Sequence, residues 1–591
     1  MKDSQKAPLL NSAIDGGKKG GWKPAIYIIS KLCFLRQTSS LRTFLHHCVR
    51  RPLILKSLTT DDSFFTKFFS AVVEVLERLA FFGITANLII YLTNILQDTT
   101  VTAAKEINLW SGISTFLCLF GAFMADSYLG RYQTVLLSSL VYISGLLVIT
   151  LSVNVIPFQF RKPVLLLALY LVAIGQGGHR PSVQALGADQ FDEKTGEDRK
   201  SKSSFFNWWF FGVCGAAAAA ALAIVNIQDH VGWTVGFGIA AIAMVLSLCV
   251  FLLGQRFYWC QPLKGSPLTL VAQVFVAAAR KRNLKSAADD APQHRLFTSE
   301  EAEPAAGTRR SVVLTHQWKF LNKAAEVDEE DAQAARKNDW RLCSVTQVEE
   351  VKLLLRLVPI WLSCFMYGVA LAQGTTFFVK QCSNMDTHIS SFRLSPASIR
   401  VSASMMILIL VPIYDRILVP ALRKMTGIPA GITPLKRIGV GIVVSIVALT
   451  VAALVESRRL KIAEEYGLSH LPNATVPMRV WWIVPQYVLF AVSDVFAFIG
   501  IQEFFYDQMP EGMRSLGSVA SLTLIGVGNL LSSLIISVVH HFYPQWLDNN
   551  LNQAHLDYFY LLLAGLSSVW LILYLYLSKC FVYKQNEGTH L

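Results

Sequence analysis

The chain has 591 residues, 53% of them hydrophobic and 16% charged, with 53 Lys and Arg against 40 Asp and Glu for a formal net charge of +13. A mean hydropathy of +0.43 is too apolar for a soluble protein of ordinary surface. The basic excess lies in a few loops, so it reads as membrane orientation and not as a nucleic-acid footprint.

The first thirty residues are polar and glycine-rich and lack the apolar stretch of a cleavable signal peptide. Past them, Phe68 to Leu92 is apolar over a length that crosses roughly 30 Å of hydrocarbon as a helix. Three ionisable residues, Glu74, Glu77 and Arg78, interrupt it. A charge at the middle of such a helix costs about 2.5–3.5 kcal/mol on insertion scales, so these side chains must face protein or a wet cavity. At i, i+3 and i+4 they share one helix face. A carboxylate beside a guanidinium is a charge pair that protonation breaks, which is the chemistry of a proton-coupled carrier. A structural salt bridge that fixes the first helix is the other reading.

Twelve candidate spans follow from hydropathy, at about 68–93, 107–128, 132–153, 163–184, 204–226, 232–254, 353–373, 399–420, 436–455, 480–502, 514–538 and 556–579. The expected fold is an all-α membrane protein of two six-helix halves, 68–254 and 353–579. A cytosolic N-terminal region (1–67), a polar linker (255–352) and a short tail (580–591) complete the chain. Basic residues crowd loops 185–203 (Lys194, Arg199, Lys200), 255–352 (Arg280, Lys281, Arg282) and 421–437 (Arg423, Lys424, Arg437). All join even- to odd-numbered spans, so both termini are expected in the cytosol. Loop 456–479 carries Arg458, Arg459 and Lys461 on the other side against that rule, and its Glu456, Glu464 and Glu465 suggest an extended helix end. The sequon Asn473-Ala474-Thr475 in this loop is a candidate glycosylation site.

Between spans 2 and 3 stands Gly121-Ala-Phe-Met-Ala-Asp126-Ser-Tyr-Leu-Gly130-Arg131. Its glycines allow close helix approach, and Asp126 and Arg131 can hold the cytosolic side closed. The loop resembles the signature of the major facilitator superfamily; a helix-turn-helix with incidental charges is the alternative. Thr134 follows it as a candidate site for a regulatory kinase, or as a hydroxyl that caps span 3. Span 4 ends on Gly177-Gly178-His179-Arg180-Pro181 and continues into Gly187-Ala-Asp189-Gln190-Phe191-Asp192, and Phe205-Phe206-Asn207-Trp208-Trp209 opens span 5. Together with Glu74–Arg78, Phe81-Phe82-Gly83, the segment 484–490 (VPQYVLF) and 549–560 (NNLNQAHLDYFY), these motifs resemble the proton-dependent oligopeptide transporter family. More narrowly, they are similar to its plant nitrate/peptide branch.

The resemblance implies the major facilitator fold and alternating access, with Glu74, Glu77 and Arg78 as the proton-coupling cluster. It places Arg180 where the family has a Lys on span 4, and Asp494 where it has a Glu on span 10. Both signs of charge are kept, so the pair is expected to serve gating or anion binding, in contact across the halves. A lone Arg before Pro can instead cap its helix end. Arg cannot release its proton as a buried Lys can, which alters the coupling implied for span 4. Peptide carriers of the family use a Tyr, an Arg and an Asn where this chain has Phe82, Thr85 and Cys214, so dipeptides are disfavoured. The nitrate-binding His of a dual-affinity member falls at Leu371, downstream of Trp361, so nitrate would have to bind Arg78 and Arg180. In the family a Gly-Gly-Trp segment runs directly into span 1; here residues 30–71 intervene, either a retained intron or a surface amphipathic helix.

The expected function is proton-coupled symport of nitrate or another small anionic or amphipathic metabolite, in the plasma membrane or the vacuolar membrane. A membrane receptor without net transport and a peptide carrier are the alternatives. Expected partners are the small-molecule substrate, protons and the lipid bilayer, with no nucleic acid. Ten scattered cysteines, without a CxxC or a Cys/His cluster at ligand spacing, argue against a disulfide framework or a metal site. No nucleophile–base spacing or phosphate loop marks an enzyme, and no cofactor is expected besides protons as the coupling ion.

Overall fold

Spans 1 to 6 run as Phe69–Ile95, Thr100–Leu129, Arg131–Asn154, Phe158–Gly187, Phe211–His230 and Trp233–Leu253. Spans 8 to 12 are Pro396–Thr426, Pro434–Glu465, Val480–Gln508, Val519–Phe542 and Leu556–Cys580. Span 7 is a pair, Val345–Ser363 and Phe365–Ser383, bent by 42°. At the bend the N–H of Cys364 bonds back three residues to Trp361 at 3.2 Å, and this tightened turn redirects the helix. The twelve expected spans are therefore present as eleven long helices and one broken one. The coordinates are a computed structural model. It describes residues 60–188, 211–256, 258, 267–282, 297, 318–328, 331, 338–389, 392–427, 432–472, 474–509 and 514–581. Of the expected 30–71 insertion, only the start of helix Thr60–Thr85 lies among them.

Residues 64–591 form one compact unit. Large apolar side chains such as Leu140, Leu151, Leu167, Ile242 and Ile572 stand exposed around it, as they must where lipid is the solvent. Lipid gives no hydrophobic drive between helices, so close backbone packing supplies the contact energy. A Cβ added at Gly121 on span 2 would sit 2.1 Å from the Gly177 carbonyl oxygen on span 4. One added at Gly528 on span 11 would sit 2.4 Å from the carbonyl carbon of Gly368 on span 7.

The halves meet along spans 2 and 11, where Gly112 lies under Leu530 and the Asn108 amide donates to Ser532 Oγ at 3.0 Å. A second seam closes one end of the bundle. Asn226 on span 5 donates to Ser398 Oγ at 3.0 Å and accepts from the Ser395 N–H at 3.3 Å. Ser398 in turn donates to the Ala221 carbonyl at 2.6 Å. Asp229 accepts from Asn87 at 2.8 Å and from the Ser395 hydroxyl. Lys380 reaches across to Thr93 Oγ1 at 3.2 Å and Asn94 Oδ1 at 3.3 Å. Two short strands at the same end, Met385–Asp386 and Val476–Arg479, pair in parallel and join the loops after spans 7 and 9.

The basic loop that strained the charge rule is helix. Span 9 runs on to Glu465, and Arg459 is fully buried, bidentate on Glu456 at 2.6 and 2.9 Å and bonded to Asn552 Oδ1 at 2.7 Å. Its charge is therefore neutralised inside protein and carries no topological signal. The linker also departs from a purely polar reading. Its helix Pro267–Arg280 buries Val274 and Ala277 with Leu321, Ala324, Val348 and Val351. Lys281, 2% exposed, donates to the Glu326 carbonyl and to Asp331, both at 2.5 Å. An apolar repeat at Leu268, Val271, Val274 and Ala278 gives that helix a face to bury. The Ala-, Asp- and Glu-rich stretch 286–310 lies outside the described residues apart from Phe297.

Candidate functional site

Span 1 carries the cluster anticipated on its charged face. Arg78 Nε and Nη2 both lie 2.8 Å from Glu74 Oε1, and Nε is 3.3 Å from Glu77 Oε2. All three side chains are between 0 and 2% exposed. The helix places Glu74 and Arg78 one turn apart, so the shorter contacts form within it. Glu77 makes the longer contact with the guanidinium, 3.3 Å against 2.8 Å for Glu74. Two carboxylates share the Arg78 guanidinium, and a proton on either one would loosen that pairing. The Tyr142 hydroxyl of span 3 interacts electrostatically with Glu77 and Arg78. His179, 1% exposed with Nδ1 unpartnered, interacts with Glu74 and Arg78.

Arg180 and Asp494 do not meet. Arg180 interacts with Arg78, Cys118, Glu77 and Glu74, within its own half. Span 4 crosses span 2 at Gly177, where its backbone touches Gly121. Asp494 instead accepts a 2.5 Å hydrogen bond from the Tyr367 hydroxyl of span 7, and its cationic neighbour is Arg400. The expected cross-half ion pair is thus replaced by two separate groups. Arg180 extends the span-1 cluster, and Asp494 faces a cavity between the halves.

That cavity encloses about 210 Å³ and draws its walls from four helices, two per half. Phe82 and Ala86 come from span 1, Cys214 and Ala217 from span 5, Arg400 and Ser404 from span 8, and Asp494 and Phe498 from span 10. Phe82 is the one expected lining residue that takes its place there together with Asp494. Thr85 turns its hydroxyl back to the Phe81 carbonyl at 3.1 Å. Trp361 donates to the Ala520 carbonyl at 2.9 Å, and Leu371 packs in the apolar core, so both are away from the lining. Arg400 was not anticipated. Its guanidinium lies 5.7 Å from the Phe82 ring centroid, within cation–π reach. In the sequence an Arg that opens an apolar span reads as an interfacial flank, and only its place beside Ser398 and above Asp494 gives it another role.

The loop between spans 2 and 3 has the expected geometry. Asp126 pairs with Arg131 at 3.2 Å, and Arg131 also donates to the Ala185 carbonyl at the end of span 4 at 3.4 Å. Gly130 takes φ +81°, a conformation that side-chain-bearing residues avoid. Thr134 is 5% exposed and donates to the Gly130 carbonyl at 3.0 Å, so in this conformation its hydroxyl tightens the turn that starts span 3. Asn473 lies outside the described residues.

Among the described residues no group of three or more His, Cys, Asp or Glu side chains could hold a metal ion. A family model described as "POT family" matches residues 132–551. Among similar proteins, NRT1/ PTR FAMILY 5.4 of Arabidopsis thaliana is 45% identical over 529 residues, covering 88% of this chain and 95% of that protein. NRT1/ PTR FAMILY 5.10 of the same plant is 47% identical over 538 residues, covering 88% and 92%. A solved structure of an auto inhibited POT family peptide transporter aligns with a TM-score of 0.66 at 19% identity, covering 89% of this chain and 99% of that one. A POT family transporter in complex with 5-aminolevulinic acid aligns at 0.60 and 14%, covering 87% and 96%. The two-halved bundle is thus the major facilitator fold, and the chain belongs to the POT family of membrane transporters, as a multi-pass integral membrane protein.

Proposed function

We propose that this protein is a proton-coupled symporter for a small anionic or amphipathic metabolite, working by alternating access. The observation that carries the reading is the buried Glu74–Arg78–Glu77 cluster inside span 1, where two carboxylates share one guanidinium. A purely structural ion pair needs one carboxylate. A second one beside the same guanidinium is more than fixing span 1 requires. Protonating Glu77 leaves Arg78 and Arg180 with one carboxylate between them, a net positive charge in the N-terminal half, so that proton and anion stabilise each other's binding. Release of the proton on the far side removes that positive charge and with it the attraction that held the anion. Protons are the only coupling ion this scheme needs.

The closed seam at Asn226, Ser395 and Ser398 lies at the end opposite the basic loops. We therefore assign the conformation as closed toward the non-cytosolic side, with both termini cytosolic. The plasma membrane and the vacuolar membrane both fit that orientation. At two of the positions where peptide carriers of this family hold peptide termini the cavity has Phe82 and Cys214, and this disfavours dipeptides. A receptor without net transport would have no use for the second carboxylate. Substrate-evoked currents in oocytes, screened against nitrate, organic acids and dipeptides, test the reading. Inward current that grows as external pH falls and vanishes with a protonophore supports it, and uptake indifferent to the proton gradient refutes it.

A further inference from the structure

The charged cluster on span 1 and the cavity between the halves are built from different residues, and the cavity has a cation of its own. Arg400 enters it from the first turns of span 8, with Phe82 under its guanidinium at 5.7 Å. Its Nη1 is buried and has no hydrogen-bond partner. Asp494 is close enough to interact electrostatically, yet the two form no ion pair within 4 Å. Asp494 is instead held by the Tyr367 hydroxyl at 2.5 Å. A guanidinium that has a carboxylate nearby but does not close on it keeps its forked donors available. The remaining walls are apolar, among them Val213, Ala217, Ile407, Phe498 and Ile499, with Ser404 the one neutral hydroxyl.

We propose that Arg400 anchors the carboxylate of a small amphipathic organic acid whose apolar body lies against Phe82 and the walls of spans 5 and 10. The proposal rests on the reading of the chain as a carrier and names the substrate class of its central cavity. A guanidinium matches a carboxylate in bidentate geometry, and apolar walls favour a ligand with apolar surface to bury. Nitrate fits poorly. It would lose water on every side, receive donors only from Arg400 and Ser404, and meet hydrocarbon elsewhere, which leaves its desolvation uncompensated. Phe82 serves twice, stacking on the guanidinium and offering its remaining surface to the ligand body. Arg400 is thereby a specificity-determining residue in the C-terminal half, apart from the Arg78 and Arg180 of the N-terminal half.

The test uses the full-length chain in lipid nanodiscs, with phenylacetate as probe and phenylacetamide, its uncharged isostere, as control. Direct binding to the wild type should be detected for phenylacetate and be about ten- to a hundredfold weaker for the amide, the range for one charge-assisted contact. Arg400→Gln should lose a similar factor, Arg400→Lys should recover part of it, and Phe82→Leu should weaken phenylacetate while keeping its preference over the amide. Nitrate at the same concentration should not displace the probe. Failure of the wild type to bind phenylacetate, unchanged binding in Arg400→Gln, or displacement by nitrate as effective as by phenylacetate itself overturns the proposal. Binding is read without a proton gradient, so it does not depend on coupled uptake. Arg400-dependent binding in a protein that shows no proton-driven uptake would therefore refute the coupling scheme and leave this inference standing.

Discussion

Opening of the non-cytosolic seam should be limited by a few hydrogen bonds that can be removed one at a time. Asn226→Ala deletes two bonds that cross between the halves, to Ser398 Oγ at 3.0 Å and from the Ser395 N–H at 3.3 Å. Adding Asp229→Ala deletes a third, from the Ser395 hydroxyl. Each such bond contributes about 0.5–1.5 kcal/mol net, and Asp229 is exposed, so the lower half of that range applies to it. The double variant should therefore lose about 1.5–4 kcal/mol of closed-state preference, a shift of roughly ten- to several-hundredfold in the closed-to-open ratio. Hydrogen–deuterium exchange in nanodiscs reads this directly. Peptides covering 222–231 and 395–402 should exchange faster by that factor, and span 9 should be unaffected. The bonds left behind, Ser398 to Ala221 and Lys380 to Thr93, should keep the wild-type geometry in a large fraction of molecules. Exchange within twofold of wild type in both peptides would refute the assignment of this seam as the closing contact.

Other perturbations follow from the same geometry. Arg459→Met strands Glu456 in a fully buried site and should cost about 3–5 kcal/mol, read as a lower melting temperature that Glu456→Gln in the same chain largely restores. Gly121→Val places a branched side chain where even a Cβ meets the Gly177 carbonyl oxygen at 2.1 Å; the protein should fail to reach a stable inserted state by size-exclusion in detergent, whereas Gly215→Ala, with nothing within 4 Å of the added Cβ, should behave as wild type. Tyr367→Phe removes the 2.5 Å bond to Asp494 and frees that carboxylate to close on Arg400, so phenylacetate binding should weaken without a loss of fold by circular dichroism. Thr134→Asp puts a charge where a 5%-exposed hydroxyl bonds the Gly130 carbonyl; it should lower thermal stability more than Thr134→Ala does, and equal effects would remove the case for a phosphate switch there.

Much of the span-1 site was legible in the sequence, because a helix converts the spacing of Glu74, Glu77 and Arg78 into one face without help from the rest of the fold. The same holds for Gly121 to Arg131, a local turn, and for the helical extension through Glu456 and Arg459, where alternating charges pair at i, i+3. What was not legible depends on how helices far apart in sequence cross. Arg180 and Asp494 were expected to pair on charge alone, but Arg180 has its charged neighbours Arg78, Glu77 and Glu74 in its own half. The place of Asp494's partner falls to Arg400 and Tyr367, whose sequence surroundings resemble an ordinary span flank and an ordinary aromatic. The seam of Asn87, Asn226, Asp229, Ser395 and Ser398 joins segments more than 140 residues apart, and each residue alone reads as loop polarity. The bend in span 7 was hidden for another reason: Cys364 continues the apolar run without a Gly or Pro at the break.

The central claim is that a proton on the Glu77 side of the Arg78 cluster drives uptake. Proteoliposomes with an imposed inward proton gradient, loaded with wild type or Glu77→Gln and offered phenylacetate, test it most directly, with counterflow of the same solute measured in parallel. The wild type should accumulate solute above equilibrium. Glu77→Gln should lose that accumulation and keep counterflow, because the cavity and its closing seam are intact. Accumulation by Glu77→Gln equal to that of the wild type would contradict the account.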